Sequence, residues 1–293
     1  MVAEITGFFD KATSTLSYLL ADPESGQAAV IDPLLDYNPR SGRISTTGAD
    51  RLIAEVETRG LKLAWVLETH PHADHLTACR HVKRRLGGLI GIGAGVVTVQ
   101  KTWAEIYNLD SKLALDGSQF DRLFADGERF ALGGLEIEVW HTPGHTPACV
   151  TYVVREAAGA APVAAFVGDT LFMPDYGTAR CDFPGGDAAT LHRSIARILS
   201  LPDRTRLFTC HDYQPNGRAL AYEATVAEQR AKNVHLKAAP DESAFVELRR
   251  ERDRGLDAPE LLLPALQVNI RGGDLPPAES NGTRYFKIPL DRF

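Results

Sequence analysis

The sequence predicts an α/β fold, and two kinds of pattern support this prediction. Short runs rich in apolar and β-branched residues recur along the chain, and several are apolar throughout, as in strands covered on both faces. Segments in which apolar residues have helical spacing lie between these runs. The predicted strands are 15–21, 28–32, 63–69, 135–140, 149–154, 164–169 and 206–212.

Two segments between the strands have clear helical patterns. The first is 74–86, which is followed by Gly87 and Gly88, as expected at a helix C-terminus, and has the apolar stripe Leu76, Cys79, Val82 and Leu86. The second begins after Asp187, a favourable N-cap, and ends before Pro202. Its apolar stripe consists of Leu191, Ile195, Ile198 and Leu199.

The remaining segments suggest additions to an α/β core. With 293 residues, of which 44% are hydrophobic, the chain can form one large core or two smaller ones. Segment 36–50 is polar and rich in turn residues, and 104–124 follows no single period. From about Asp241 the chain is charged and then contains several prolines, so we predict a loop-like extension that wraps around the core.

Composition argues against several classes of protein. The net charge is −6 and the basic residues are scattered apart from 83–85, which disfavours nucleic acid or an anionic membrane as a partner. We expect no signal peptide, since the start lacks a basic segment and a long apolar run, and no membrane helix. The four cysteines form no CxxC pair, so we expect neither disulfides nor a thiolate zinc site, and a reducing cytoplasm.

The candidate chemistry is concentrated in histidines and aspartates at strand ends. Residues 69–75 read THPHADH and contain three of the nine histidines. Other candidates follow later strands, and ligands at the carboxyl ends of strands converge on one edge of an α/β sheet. The complete set is His70, His72, Asp74, His75, His145, Asp169 and His211.

A metal site explains this cluster better than ordinary surface polarity does. Four closely packed polar groups would desolvate and repel one another unless a cation compensated them. A single histidine, in contrast, is usually a solvated or hydrogen-bonded residue. We therefore expect ordinary structural roles for His81, His141, His192 and His235.

The order of the motifs resembles the metallo-β-lactamase superfamily. The matching stretches are THPHADH at 69–75, HTPGHT at 141–146, GDT at 168–170 and HD at 211–212. The early segments ATSTLSYLLAD and AAVIDP resemble the opening strands of that superfamily. The resemblance implies a four-layer αββα sandwich and a single domain over 1–293, with the wrapping extension from about 241.

Two branches of the superfamily use the same ligands differently. In the glyoxalase II-like zinc hydrolases, the resemblance implies two Zn(II) ions, held by His70, His72 and His145 and by Asp74, His75 and His211, with Asp169 between them. In the persulfide dioxygenases it implies one Fe(II) ion held by His70, His145 and Asp169. The other four residues would then be hydrogen-bonding neighbours or a second site.

The sequence following GDT resembles the dioxygenase branch more closely. TARCDF at 178–183 is similar to the CGRTDF of that family, and CHDY at 210–213 is similar to AHDY. The resemblance implies substrate-binding roles for Arg180, Asp182, Phe183 and Tyr213, and catalytic roles for Asp74, Arg180 and Tyr213. Thr178 and Cys181 depart from the motif, and the longer insertions resemble a bacterial subgroup of β-lactamase-like hydrolases.

These resemblances imply an iron-dependent oxidoreductase. The expected reaction converts glutathione persulfide, or a similar low-molecular-weight persulfide, with O₂ and water to sulfite and the thiol, as in sulfide detoxification. The alternative is a binuclear zinc hydrolase of glutathione thioesters or lactones. A non-catalytic binding protein would not need seven ligands. A homodimer is a further expectation.

Overall fold

Fifteen strands and eight α-helices form the described part of the chain, residues 3–109 and 113–292 of the computed structural model. The strands are β1 (Glu4–Asp10), β2 (Thr15–Asp22), β3 (Gln27–Ile31), β4 (Leu34–Asn38), β5 (Arg43–Ser45), β6 (Lys62–Leu67), β7 (Leu76–Thr77), β8 (Leu89–Gly93), β9 (Arg122–Phe124), β10 (Arg129–Leu132), β11 (Leu135–His141), β12 (Val150–Arg155), β13 (Pro162–Phe166), β14 (Arg206–Phe208) and β15 (Glu223–Thr225). The helices are α1 (Thr47–Thr58), α2 (Cys79–Leu86), α3 (Val96–Ile106), α4 (Ala188–Ile198), α5 (Val226–Lys232), α6 (Val234–Ala238), α7 (Glu242–Asp253) and α8 (Leu262–Asn269).

Two six-stranded sheets form the centre of the fold. The first has the order β1-β2-β3-β6-β8-β9 and is antiparallel up to β3 and parallel from β3 to β9. The second has the order β10-β11-β12-β13-β14-β15, in which only β13 and β14 are parallel. A small third sheet joins β5, β4 and β7.

Three apolar clusters separate four layers. One cluster fills the space between the two sheets and includes Tyr18, Phe124 and Phe166. A second packs the first sheet against α1, α2, α3 and α8, and a third packs the second sheet against α4 and α7. Apolar burial on both faces of each sheet is the arrangement that holds such layers together. The predicted α/β class and four-layer αββα sandwich are therefore confirmed.

The strand predictions succeeded where the apolar runs are long and fully buried. Strand β2 is buried along its whole length, and all seven predicted runs contain a strand. Strand β8 was not predicted, because its sequence, LIGIG, contains two glycines. A Cβ atom at Gly91 would lie 2.4 Å from the ring of Phe124, so close packing excludes a larger residue there.

The helix predicted over 74–86 is wrong in its first turn. Helix α2 begins only at Cys79, because Leu76 and Thr77 pair with β4 and the preceding residues form a loop. Asp74 and His75 therefore do not open the helix. The N-cap prediction at Asp187 is confirmed, since its side chain accepts a hydrogen bond of 2.7 Å from the Thr190 amide.

The two predicted insertions contain regular structure. Segment 36–50 continues β4, includes β5 and begins α1, while 104–124 includes the end of α3 and all of β9. Residues 110–112 of the second segment lie outside the described residues. Local pairing and packing, rather than hydrophobic periodicity, determine both segments.

The C-terminal segment is more helical than the sequence suggested. The loop-like extension expected after 241 contains α7 and α8. Pro264 falls in the first turn of α8, where a helix amide has no intrahelical partner, so the proline removes no hydrogen bond. Phe245 and Leu266 join the apolar clusters of the sandwich. None of the helices among the described residues has the length and apolarity that crossing a membrane requires.

Candidate metal centre

The predicted ligands lie in loops that follow four strands. His70, His72, Asp74 and His75 follow β6, His145 follows β11, Asp169 follows β13 and His211 follows β14. All seven side chains are brought together, since each lies against at least one other member of the set. The sequence prediction of one convergent cluster at the strand ends agrees with this geometry.

His70, His145 and Asp169 form a group in which the ligand atoms all lie within 4.8 Å of one another. Asp169 Oδ2 lies 3.7 Å from His70 Nε2 and 3.5 Å from His145 Nε2. Two imidazoles and one carboxylate are the donor set of the facial triad of non-haem Fe(II) oxygenases. These are the three residues predicted as primary ligands.

Hydrogen bonds fix the orientation of both imidazoles in this triad. His145 Nδ1 lies 2.7 Å from the Arg180 carbonyl oxygen, which can only accept, so Nδ1 carries the proton. Thr69 Oγ1 donates to Asp32 at 2.8 Å and lies 3.0 Å from His70 Nδ1, so it accepts from that nitrogen. In the neutral form, each ring therefore has its lone pair on Nε2, the nitrogen that faces Asp169.

Several polar atoms of the site are buried without a hydrogen-bond partner among the described residues. They are His70 Nε2, His72 Nδ1, His72 Nε2, His75 Nε2 and Asp169 Oδ1. Burial, assisted by the charge of His72, holds the pKa of His70 well below its usual value. The ring is therefore neutral, and its Nε2 can act as a metal ligand. Buried acceptor atoms without donors are costly unless a cation satisfies them. The nitrogen and oxygen donor set fits iron or zinc.

Asp74, His75 and His211 form the second half of the cluster. Asp74 Oδ2 lies 3.0 Å from His75 Nδ1 and 3.6 Å from His211 Nε2. Asp169 Oδ1 lies 3.3 Å from His211 Nε2, so Asp169 faces both halves. Burial favours a raised pKa for Asp74, but the charges of His211 and His75 hold it well below its usual value. Burial lowers the pKa of His211, but Asp169 and Asp74 outweigh it and raise that pKa.

His72 is directed toward two buried carboxylates that the sequence analysis missed. Its Nε2 lies 3.0 Å from Asp32 Oδ1 and 3.7 Å from Glu68 Oε2, although neither contact has the geometry of a hydrogen bond. Burial raises the pKa of Asp32, and burial together with the Asp32 charge raises the pKa of Glu68 well above its usual value. Both residues directly follow buried strands, which is the same signal that identified the ligands.

Asn269, at the end of α8, holds the loop that carries four of the ligands. Its Nδ2 donates to the carbonyl oxygens of His72 and His75, each at 2.8 Å. Its Oδ1 accepts from the Thr77 amide at 2.8 Å. All of these groups are buried, so the C-terminal segment directly supports the loop that carries His70, His72, Asp74 and His75, which we call the metal loop. No local sequence signal identifies this role.

A cavity of about 470 Å³ opens onto the cluster. This volume lies in the range of small-molecule sites. Its wall includes His145, Asp169 and His211 and continues along a series of aromatic rings. His211 stacks on Tyr213 at 5.5 Å between centroids, and Tyr213 stacks on Tyr176 at 4.5 Å. The predicted site residue Tyr213 therefore lies beside the ligands, with 41% of its surface exposed.

Arg180 also lines the cavity, but most of its donors are used within the protein. The guanidinium donates two hydrogen bonds of 2.7 Å to Asp182 and further bonds to the carbonyl oxygens of Asp257 and Leu256. These bonds occupy four of the five N–H groups of an arginine. The guanidinium lies over the Phe183 ring at 4.7 Å. The substrate roles expected of Arg180, Asp182 and Phe183 remain predictions.

The four single histidines each have a polar partner within the protein, and that of His192 is Glu242, at 4.0 Å. His81 lies 2.9 Å from Asp50, and His141 lies 2.9 Å from the Phe124 carbonyl oxygen. His235 is different because it is only 4% exposed and lines the cavity. Its sequence context, NVHLK, carries no motif that distinguishes it from the other three.

All four cysteines are buried and free, as expected for a chain without disulfides. Cys210 nevertheless lies at the edge of the cluster, within 4.8 Å of ligand atoms of Asp32 and His72. Burial, followed by the charge of Asp32, raises the pKa of this thiol well above its usual value. Cys210 is therefore a neutral thiol rather than a thiolate.

Comparison with known proteins identifies relatives along the whole chain. The family model described as the metallo-beta-lactamase superfamily matches residues 10–211. A protein of Burkholderia pseudomallei (strain 1710b) named "probable metallo-hydrolase" is 58% identical over 98% of this chain and 99% of its own length. A protein of Xylella fastidiosa named "beta-lactamase hydrolase-like protein" is 52% identical, and this chain spans 64% of its length.

More distant relatives carry two different kinds of name. Glyoxylase B2 of Dictyostelium discoideum is 47% identical over 99% of this chain and 97% of its own length. The mitochondrial persulfide dioxygenase ETHE1 of Homo sapiens is 30% identical over 90% of this chain and 87% of its own length. The crystal structure of ETHE1 from Myxococcus xanthus aligns with a TM-score of 0.71 at 27% identity, covering 94% of this chain and all of that one.

Proposed function

The chain belongs to the metallo-β-lactamase superfamily, and we propose that it is a persulfide dioxygenase with one Fe(II) per chain. The reaction takes a low-molecular-weight thiol persulfide, O₂ and water to the free thiol and sulfite. The terminal sulfur leaves the carrier sulfur and is oxidised, while O₂ is reduced and supplies oxygen atoms to the sulfite. Metal-dependent chemistry is common to the superfamily, whereas the persulfide substrate is the specific part of this proposal.

The observation that carries the proposal is the grouping of His70, His145 and Asp169. These residues place two imidazole nitrogens and one carboxylate oxygen within 4.8 Å of one another, and His72 does not belong to that group. These three residues would hold an Fe(II) ion, which would supply redox chemistry with O₂. The ETHE1 relatives, whose human member is named a persulfide dioxygenase, support the same interpretation.

The surrounding residues hold the triad in place. The Arg180 carbonyl oxygen and Thr69 Oγ1 fix the two imidazoles through their Nδ1 protons. His211 Nδ1 lies 3.3 Å from the Ser14 carbonyl oxygen, so its Nε2 also faces the carboxylates. Asp74 remains ionised beside it and accepts from Thr15 at 3.1 Å. These contacts reduce the reorganisation that ligand binding requires.

The cavity supplies a place for the carrier thiol. Phe172, Phe183, Tyr176 and Tyr213 give it a largely aromatic wall next to the metal centre. Apolar walls exclude water from the reacting sulfur and strengthen the electrostatic contacts within the cavity. Tyr213 is positioned to contact the carrier because its ring stacks on His211 and is partly exposed.

Metal analysis of protein purified anaerobically without added metal tests the proposal. We expect close to one iron per chain and little zinc, together with sulfite production from glutathione persulfide. Two zinc ions per chain with thioester hydrolysis and no sulfite production would assign the protein to the hydrolases instead.

A specific observation favours the hydrolase as the second candidate. His72 Nδ1 and His75 Nε2 are buried without hydrogen-bond partners among the described residues, and His72, Asp74 and His75 form a group of their own. A two-metal centre would use both of these atoms, and two adjacent ions activate a water for hydrolysis. Glyoxylase B2 is among the relatives, so glutathione thioesters are the substrates to test for this alternative.

A further inference from the structure

The C-terminal segment forms a wall of the cavity that the family motifs do not cover. His235 of α6 and Arg249 and Arg252 of α7 line this cavity, which also contacts the metal centre. The contacts of these residues bear on how the carrier part of the proposed persulfide substrate is recognised.

His235 presents a fixed hydrogen-bond donor. Its Nδ1 accepts from the Thr178 amide at 2.9 Å, and because a backbone N–H only donates, this nitrogen has no proton. The proton of the neutral ring is therefore on Nε2, which has no hydrogen-bond partner among the described residues. A Cβ atom at Gly177 (φ +107°) would lie 2.3 Å from His235 Nδ1, so the turn presses closely on the ring.

The ring keeps this protonation state near neutral pH. Burial, with the charges of Arg249 and Arg252, lowers the pKa of His235 to about 4. The side chain is 4% exposed, yet it forms part of the cavity surface. It is therefore a buried polar group with one nitrogen bonded inside the protein and the other available to a ligand.

Arg252 differs from the other two arginines of the cavity. Arg180 is bonded to Asp182, and the buried Arg249 is paired with Asp253. Within residues 3–109 and 113–292, the exposed side chain of Arg252 has no ion-pair or hydrogen-bond partner. Its charge acts on both Tyr176 and His235. The cavity thus contains one guanidinium whose donors are available to a ligand.

The aromatic rings connect this cation with the metal centre. His211 stacks on Tyr213, which stacks on Tyr176, and Tyr176 lies within the electrostatic influence of Arg252. A ligand lying along this wall would place one end at the ligands and the other beside Arg252 and His235. A reactive sulfur and a distant anionic group in one molecule match that arrangement.

We infer that Arg252 and the Nε2–H of His235 bind a carboxylate of the thiol carrier, so that the substrates are persulfides of anionic thiols. This inference rests on the proposed function for the identity of the reacting group. A guanidinium and a neutral N–H donor together suit one carboxylate, and charge-assisted hydrogen bonds are the stronger kind. Arg180 then acts as a positioning residue for His145 and the cavity wall.

Binding of S-methylglutathione tests the inference without turnover. This probe retains both carboxylates but has no thiol to ligate a metal. By titration calorimetry, the wild type should bind it at least tenfold more tightly than its dimethyl ester. Arg252→Gln should reduce this preference to less than threefold, because the positive charge and the paired N–H donors of the guanidinium are lost.

His235→Asn provides an independent arm. Asparagine keeps an oxygen near the position of Nδ1 to accept from Thr178 but lacks the Nε2 donor. We expect about fivefold weaker binding of the acid and unchanged binding of the ester, with circular dichroism confirming the fold. If His235→Asn fails to fold, Arg252→Gln alone decides the outcome.

Arg254→Gln is the matched control. Arg254 follows α7, is exposed and lines a different cavity, so its replacement should leave the tenfold preference intact. Arg180→Lys should weaken acid and ester binding alike, since it acts through the shape of the wall. A wild type without preference for the acid, or Arg252→Gln with the preference unchanged, would overturn the inference.

Activity measurements separate this inference from the proposed function. If the protein oxidises glutathione persulfide and an uncharged hydroxyethyl persulfide with equal KM, the carboxylate site is wrong while the dioxygenase assignment stands. If it oxidises no persulfide but shows the predicted binding pattern, the dioxygenase assignment is wrong while the carboxylate site stands.

Discussion

The metal centre and the C-terminal wall of the cavity use polar residues in opposite ways. At the metal centre, buried imidazole and carboxylate atoms lack partners and converge on one another. In the wall, most polar groups satisfy each other, as in the pairs Arg249–Asp253 and Arg180–Asp182. Buried polar atoms without partners are rare in proteins, so they indicate where a ligand belongs, whereas saturated networks indicate scaffold.

The exceptions in the wall are informative by the same criterion. Arg252 and His235 Nε2 have available donors, whereas Arg180 and Arg249 beside them are paired with Asp182 and Asp253. Asn269 represents the opposite case, because each polar atom of its side chain is bonded to backbone of the metal loop. The comparison therefore predicts ligand contacts for the first two and a purely structural role for the third.

Replacing members of the triad should have the largest effect. His70→Ala, His145→Ala and Asp169→Ala should each abolish iron binding and lower activity at least about hundredfold, since each removes one of three ligands. His211→Ala should retain most of the iron because it lies outside the group. Iron content by elemental analysis and sulfite formation measure both effects.

Equal loss of metal in all four variants would contradict a single-ion centre. It would also remove the distinction between the triad and the residues around it. If the wild type contains two metal ions per chain and His211→Ala contains one, the result would support the binuclear alternative.

Replacing Asn269 should have the next largest effect. Asn269→Ala leaves the Thr77 amide and the carbonyl oxygens of His72 and His75 buried without partners. Each such group costs about 1–3 kcal/mol, so we expect the free energy of unfolding to fall by about 3 kcal/mol or more. Urea unfolding measures this change, and metal affinity should decrease with it.

Asn281→Ala provides the control in the same C-terminal segment. Asn281 is exposed and bonds Tyr285, so its replacement should change stability by less than about 0.5 kcal/mol. If Asn269→Ala changes the free energy of unfolding as little as this control does, the C-terminal segment does not support the metal loop.

The last effect appears only on acidification and is the pH dependence of stability through His235. Its pKa is 6.5 in an ordinary setting and about 4 in the folded protein, so between these values only the unfolded chain binds the proton. The free energy of unfolding should therefore fall as pH falls from 6.5 to 4. The contribution is up to about 1.4 kcal/mol per pH unit.

Urea unfolding of wild type and His235→Asn at several pH values isolates this contribution. Other groups titrate in both proteins, so the difference between the two curves reports His235. The difference should be constant above pH 6.5 and shrink toward pH 4. Parallel curves over this range would mean that the ring is not held neutral.

Much of the fold and the ligand set could be predicted because the signals are local. A buried strand is an apolar run, and the HxHxDH spacing places several ligands in one loop whatever follows it. The order of the motifs then indicated the αββα sandwich. The prediction failed at 74–78, where a helical pattern became a loop and the short strand β7, and at Pro264, which lies in the first turn of a helix.

The sequence alone indicated which residues form the candidate metal centre and what chemistry they offer, because side-chain type and strand-end position are properties of the chain itself. Only the tertiary structure decided that His70, His145 and Asp169 form one group and that His72 turns toward Asp32. It also decided that Asn269 contacts a loop almost 200 residues earlier in the chain. The physical reason is that hydrogen-bond saturation depends on which distant segments come into contact, and no local sequence pattern encodes those contacts.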